Sequence, residues 1–175
     1  MNADPKTIVS YLHVNCARSF AIYKTIYKYK DEPILRENYW RMIANASQET
    51  AVIQWCSLFG SKSKRNKTHW LNSGVSGIKN RKEFQEKVLS KIPIPFAEWV
   101  QLHNSILVFR NKNVAHIDLD DWFRNIPYFD KAIQVLFLSF DILFEGSESS
   151  KLDLRGEYEK TATEANAIIL KHINH

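Results

Sequence analysis

Apolar side chains recur at intervals of three and four residues along most of this chain. That spacing places them on one face of an α-helix, where successive residues are about 100° apart. No run alternates between apolar and polar residues for long enough to predict a β-strand. At 175 residues the chain is long enough to bury its own core. The sequence therefore predicts a single all-α domain, a bundle of five to six helices.

Prolines and glycines mark the ends of the predicted helices. The expected helices cover residues 5–28, 32–60, 80–90, 95–116, 127–144 and 157–172, with the core of the domain in 5–144. Gly60 is expected to end the second helix in the left-handed conformation. The prolines of IPIP, 92–95, stop the third helix, because proline donates no backbone hydrogen bond.

Periodicity also predicts which helix faces are buried. In the first helix either Tyr23 or Tyr27 continues the apolar stripe. The predicted inward residues of the second helix are Leu35, Tyr39, Met42, Ala46, Ile53, Cys56 and Phe59. Those of the fourth helix are Phe96, Trp99, Val100, His103, Ile106 and Leu107.

Cysteine use and hydropathy predict a cytoplasmic protein without a membrane segment. Cys16 and Cys56 form no CxxC motif, which favours a reducing compartment, although the two thiols could still pair. Polar residues interrupt the first twenty positions, so they lack the apolar segment of a signal peptide. The most apolar run, 132–144, contains Asp141 and is too short to cross a bilayer.

The charge is mildly basic, with 24 Lys and Arg against 19 Asp and Glu. Its densest part is SKSKRNKTH, 61–69, which holds four cations and no acid. Such a cluster is usually a solvated loop. Its alternative role is to guide an RNA backbone electrostatically. The candidate RNA-binding cations of this segment are Lys62, Lys64, Arg65 and Lys67.

Several kinds of catalytic site are disfavoured by their missing motifs. The six histidines show no ligand spacing typical of a metal site, and five scattered glycines form no phosphate-binding loop. No serine lies in a GxSxG turn. The sequence therefore predicts neither a metal nor another cofactor.

The segment RNKNVAH, 110–116, follows the apolar stretch LHNSILVF. In the simplest interpretation its cations stabilise the C-terminus of a helix. In a regular α-helix Arg110 and His116 point about 120° apart. They can approach one ligand only through the reach of the arginine, a local helix distortion, or a second copy of the chain. A two-fold dimer would place two copies of each residue around one cleft.

Arginine and histidine together suit the cleavage of RNA without a metal. Attack by the 2′-OH needs a base to take its proton and an acid to protonate the leaving 5′-oxygen. Histidine can do both, because its pKa is ordinarily about 6.5. Arginine stays charged and can bond to two phosphate oxygens at once. The motif therefore indicates chemistry at a phosphodiester.

At these residues the sequence resembles the HEPN superfamily. The hallmark of that family is an arginine, often with a polar neighbour, followed after four to six residues by a histidine; here Arg110, Asn111 and His116 match it. RNKNVAHID is similar to a form found in bacterial abortive-infection proteins. Upstream, QWCSLFGSKSKRNKTHW, 54–70, is similar to some uncharacterised bacterial relatives.

The resemblance implies an all-helical bundle, a homodimer with a composite cleft, and metal-independent endoribonuclease activity. It also implies, for many members, a place in phage defence or a toxin–antitoxin pair with a cognate antitoxin. Arg110, His116 and Asn111 would be catalytic, with Lys112 and Asn113 near the cleft by position. The upstream Trp55, His69 and Trp70 match a pattern without an assigned role, and they are ordinarily packing or loop residues.

Two other functions stay open from the sequence. Some relatives are inactive, so the chain could be a non-catalytic HEPN-like module that binds a nucleotide, RNA or a protein partner. It could also be a purely structural dimerisation bundle. The sequence names no RNA target, trigger or inhibitor.

Overall fold

A computed structural model describes residues 4–60, 68–70, 80–92, 94–114 and 127–174. Within these ranges the chain is helical and contains no β-strand, so the all-α prediction is confirmed. The α-helices are α1 (Pro5–Lys28), α2 (Asn38–Phe59), α3 (Arg81–Lys87), α4 (Phe96–Phe109), α5 (Phe129–Leu143) and α6 (Leu154–Ile173). Short 3₁₀ turns cover Pro33–Arg36, Leu89–Lys91 and Glu148–Lys151, and a π-helical turn covers Arg110–Val114.

Helix α1 is the central helix of the bundle. It packs against α2, α5 and α6, and α2 in turn contacts α4 and the π-helical turn. Cys16 and Phe20 of α1 are fully buried. Tyr23 continues the buried stripe at 6% exposure, whereas Tyr27 is 47% exposed. The tyrosine alternative is thereby settled in favour of Tyr23.

The core divides into two clusters of buried side chains. The larger one contains Phe20, Trp55 and Phe140 and joins α1, α2 and α5. Trp55 Nε1 donates to the Ala132 carbonyl oxygen at 3.3 Å. The smaller cluster consists of Ile26, Leu35, Trp40 and Ile169, and joins the end of α1 to the start of α2 and the end of α6.

The predicted inward faces of α2 and α4 are partly wrong. Tyr39, Met42 and Ile53 are 60%, 62% and 48% exposed, and Phe96 and Val100 are 53% and 39% exposed. In α2 Trp40 is 6% exposed and Trp55 is fully buried, so the buried face includes Trp40 instead of its neighbour Tyr39. A rotation of about 100°, one residue, moves the stripe from Tyr39 to its neighbour. The buried residues of α2 are Trp40, Gln48, Ala51, Val52, Trp55, Cys56, Leu58 and Phe59.

The ends of two helices also differ from the prediction. Gly60 has φ −68°, not the expected left-handed conformation. A side chain there would instead collide with the Cys56 carbonyl oxygen, which accepts the Gly60 N–H at 2.9 Å. Helix α6 begins three residues earlier than expected, at Leu154, because Asp153 Oδ1 accepts from the Gly156 N–H at 2.9 Å and caps the helix.

Two further predictions concern membranes and thiols. No helix among the described residues is long and apolar enough to cross a membrane. Cys16 and Cys56 are both buried and both free, so they do not form a disulfide.

Candidate active site

Helix α4 carries Arg110 at the end of a buried apolar face. Its buried residues are Trp99, Ile106 and Phe109, a spacing that keeps all three on one side of the helix. The Phe109 ring meets the Phe129 ring of α5 edge-on, with 6.2 Å between centroids. Because Phe109 is buried against α5, the backbone of the next residue, Arg110, has a defined position.

The helix changes geometry at Arg110. The Arg110 N–H bonds to the carbonyl oxygens of both Ile106 and Leu107, and Arg110–Val114 then forms the π-helical turn. Such turns are rare and often occur at functional sites. The angle of about 120° between Arg110 and His116 assumed a regular α-helix, so it does not apply to this segment. His116 itself lies outside the described residues.

Arg110 and Asn111 form a hydrogen-bonded pair. Arg110 donates to Asn111 Oδ1 from Nε at 3.1 Å and from Nη2 at 2.7 Å. A guanidinium has five N–H groups. The other three have no partner among the described residues, and no described carboxylate lies within 4 Å of the charge. The side chain is therefore oriented by its neighbour and keeps donors for an anion.

The charge of Arg110 also acts on the buried face of α2. Burial raises the pKa of the Cys56 thiol to about 11, and the Arg110 charge opposes that rise because it favours the thiolate. Cys56 is 3% exposed. The buried thiol is thus protonated near neutral pH, and Arg110 lies near the C-terminal part of α2.

The remaining predicted site residues are only partly described. Lys112 is exposed in the π-helical turn, and the backbone of Asn113 belongs to the same turn. The candidate RNA-binding cations Lys62, Lys64, Arg65 and Lys67 lie outside the described residues. The structure therefore brings together Arg110, Asn111 and Lys112 on one turn.

The upstream tryptophan and histidine residues have packing contacts. Trp55 is fully buried, and Trp70 is 5% exposed. The Trp70 ring stacks on Phe84 at 4.7 Å and on His69 at 5.6 Å, measured between centroids. The backbone N–H of Trp70 donates to the Leu58 carbonyl oxygen at 3.2 Å. These contacts attach residues 68–70 to the end of α2.

His103 links α4 to the end of α2, a role that its predicted place on the inward side of α4 does not reveal. Its Nε2 donates to the Phe59 carbonyl oxygen at 2.7 Å. The last four carbonyl groups of a helix lack a partner within the helix. His103 satisfies one of those of α2 and thereby fixes α4 against it.

A metal site receives no support from the described residues, since no group of three or more His, Cys, Asp or Glu side chains there is arranged to hold an ion.

Comparisons with family models, curated proteins and solved structures gave no match. The HEPN resemblance therefore stays a hypothesis, which rests on the motif at 110–116 and on the similarity of residues 54–70.

Proposed function

We propose that a homodimer of this chain is a metal-independent endoribonuclease of the HEPN type. The observation that carries the proposal is the Arg110–Asn111 pair on a π-helical turn at the end of α4. It supplies a permanently charged, oriented donor at the position where the family motif has its arginine. Arg110 binds the scissile phosphate, and Asn111 orients Arg110.

His116 serves as general acid or base in this reaction. The 2′-OH loses its proton to a base and attacks phosphorus, the bond to the 5′-oxygen breaks, and an acid protonates that oxygen. The products are a 2′,3′-cyclic phosphate and a 5′-hydroxyl. Arg110 stabilises the negative charge that develops on the phosphoryl oxygens. Two copies of His116, one per protomer, can take the two proton-transfer roles.

Exposed apolar residues on α4 support a partner subunit. Phe96, Val100 and Val108 are 53%, 39% and 52% exposed, and Phe96 and Val100, four residues apart, are neighbours on the helix surface. Contiguous exposed apolar surface often marks an interaction site. A second copy seated there would bring its own site close to Arg110. The basic residues Lys62, Lys64, Arg65 and Lys67, with Lys112 and Asn113, would contact the RNA backbone.

The biological role proposed with this activity is that of a cytoplasmic toxin or phage-defence effector, restrained by a cognate antitoxin protein. This part rests on the resemblance of RNKNVAHID to abortive-infection proteins. Cleavage of cellular RNA would stop growth, so expression of the chain alone should inhibit a host. Variants that lose cleavage should lose that inhibition.

The activity is tested by incubating purified protein with RNA in EDTA and measuring cleavage products. Arg110→Ala should reduce the rate by about 10²–10³, the usual effect of removing a donor to a developing oxyanion. His116→Ala should reduce it by about 10²–10⁴, the usual contribution of general acid–base catalysis. Arg155→Ala is the matched control, because Arg155 lies on α6 and is 51% exposed.

Asn111→Ala should have a smaller effect, about tenfold, because it removes one orienting acceptor and leaves the charge in place. Cleavage that Arg110→Ala leaves intact would refute the assigned site. Intact RNA with wild-type dimer, together with normal growth on expression, would refute the enzyme and favour a non-catalytic module.

A further inference from the structure

A cleft separate from the proposed ribonuclease site lies between the C-terminal half of α1 and the N-terminal half of α2. Its volume is about 440 Å³, within the roughly 300–1,000 Å³ range of small-ligand sites. Neither Arg110 nor Asn111 lines it. We call it the α1–α2 cleft and define it by Ile26, Lys30, Leu35, Arg36, Trp40 and Ala44.

The floor of the cleft is apolar. Ile26, Leu35 and Trp40 are 5%, 4% and 6% exposed and form part of the smaller core cluster, against which the half-buried Ala44 packs. Gln48 also lines the cleft, but its Nε2 is buried and cannot reach a ligand. Polar groups placed on this floor would lose their hydrogen bonds to water. The part of a ligand that covers the floor is therefore apolar.

The rim of the cleft is positively charged. Lys30, Arg36 and Arg41 are exposed and line it, and its lining contains no carboxylate. Lys30 Nζ lies 4.7 Å from the centroid of the Tyr27 ring, and Arg36 Nη2 donates to the Asp31 carbonyl oxygen at 3.3 Å. Neither Lys30 nor Arg36 forms an ion pair with a described carboxylate. Their charges therefore favour an anion at the mouth of the cleft.

An amphipathic carboxylate complements both parts of the cleft. A carboxylate accepts two parallel hydrogen bonds from one guanidinium, and Arg36 at the rim supplies such a group. An acyl chain has no polar atoms, so it covers an apolar floor without losing hydrogen bonds. Each methylene that it buries strengthens binding by up to about fourfold.

We propose that the α1–α2 cleft binds a free fatty acid of medium chain length. Its acyl chain covers Ile26, Leu35 and Trp40, and its carboxylate contacts Arg36 and Lys30. An acyl anion held in a membrane surface shares this chemistry, but a bounded cleft favours a single molecule from solution. The binding does not depend on the ribonuclease proposal.

Calorimetric titration at low salt tests the site with octanoate, hexanoate and octanamide. Octanoate should bind about tenfold more tightly than hexanoate, because it buries two more methylene groups. Octanamide has the same chain length without the charge. It should bind about tenfold more weakly than octanoate, since it makes no charge-assisted hydrogen bonds to the rim.

Two variants separate the rim from the floor. Arg36→Gln should weaken octanoate binding about tenfold and leave octanamide binding unchanged. Ala44→Leu partly fills the floor and should weaken both ligands about tenfold. The matched controls are Arg155→Gln on α6, outside the cleft, and Ala46→Leu, which is exposed on α2 about 200° around the helix from Ala44. Both controls should bind like wild type, as should Arg110→Ala.

This order of ligands, together with this pattern of variants, supports the proposal. It is overturned if octanoate does not bind at up to about 10 mM, if octanamide binds equally well, or if folded Arg36→Gln and Ala44→Leu proteins bind octanoate like wild type. Cosedimentation with phosphatidylglycerol vesicles without octanoate binding would identify a membrane surface instead and would also overturn it. Far-UV circular dichroism establishes that each variant is folded. Failure of the ribonuclease assay would leave these outcomes unchanged.

Discussion

His13 and Gln48 are both buried polar residues, but only one of them is fully hydrogen-bonded. His13 is 0% exposed, its Nδ1 donates to the Val9 carbonyl oxygen at 2.8 Å, and its Nε2 lies 3.3 Å from Ser139 Oγ. Gln48 is 6% exposed and its Nε2 has no partner. The first side chain is part of the core, and the second lines an open cleft.

The surroundings explain the difference. Three aromatic rings enclose His13, with centroid distances of 6.0 Å to Phe59, 5.4 Å to Phe140 and 6.0 Å to Phe144. No space is left for a ligand, so the protein itself satisfies both nitrogens. Beside Gln48 the space is about 440 Å³. His13 is therefore a structural residue of the core, whereas Gln48 carries a buried amide nitrogen without a hydrogen-bond partner.

The largest effect is expected from His13→Ala. The change removes two hydrogen bonds and leaves a cavity in the aromatic core, and large-to-small core substitutions cost about 2–5 kcal/mol. We expect the free energy of unfolding to fall by about 4 kcal/mol, measured by urea denaturation. His172→Ala is the control, because His172 is exposed near the end of α6; an equal loss there would contradict the structural role of His13.

The pH dependence of stability should come next. Burial lowers the pKa of His13 from 6.5 to about 4, since it disfavours the charged imidazolium. The unfolded chain then binds this proton more tightly, so His13 lowers stability as the pH falls from about 6.5 to 4. The loss should total about 3 kcal/mol, at about 1.4 kcal/mol per pKa unit.

The contribution of His13 is isolated by comparing wild type with His13→Leu across this pH range. Other groups titrate in both proteins, so their effects cancel in the difference. The difference between the two unfolding free energies should be constant above pH 7 and change below about 6.5. A difference that is flat down to pH 4 would mean that the folded and unfolded states have the same His13 pKa, so that burial does not lower it.

Much of the fold follows from sequence periodicity, but the rotation of each helix does not. Helix α1 has the predicted bounds because Pro5 suits a first turn and the apolar stripe ends near Lys28. The inward face of helix α2 was predicted only in part: Cys56 and Phe59 are buried as expected. At the start of the helix, packing against α1 and α6 buries Trp40 instead of its neighbour Tyr39.

The candidate site was predictable to a similar extent. Arg110 follows a buried apolar stripe, so its place at the end of α4 could be predicted. The π-helical turn could not, because it depends on backbone hydrogen bonds that leave no mark in the apolar spacing. Gln48 was missed, since glutamine is ordinarily exposed. Its position between the buried residues Ala51, Val52 and Trp55 and the half-buried Ala44 was the available signal.

The smallest expected effect is a gain in stability from Gln48→Met. An unpaired buried donor costs about 1–3 kcal/mol, and an apolar side chain of similar shape removes that cost. We expect the unfolding free energy to rise by about 1 kcal/mol in urea titration. Gln134→Met is the matched control, because Gln134 is exposed on α5, where substitutions usually stay within about 0.5 kcal/mol. A loss of stability in Gln48→Met would show that the amide is satisfied in the free protein, and Gln48 would then belong with His13 among the structural residues.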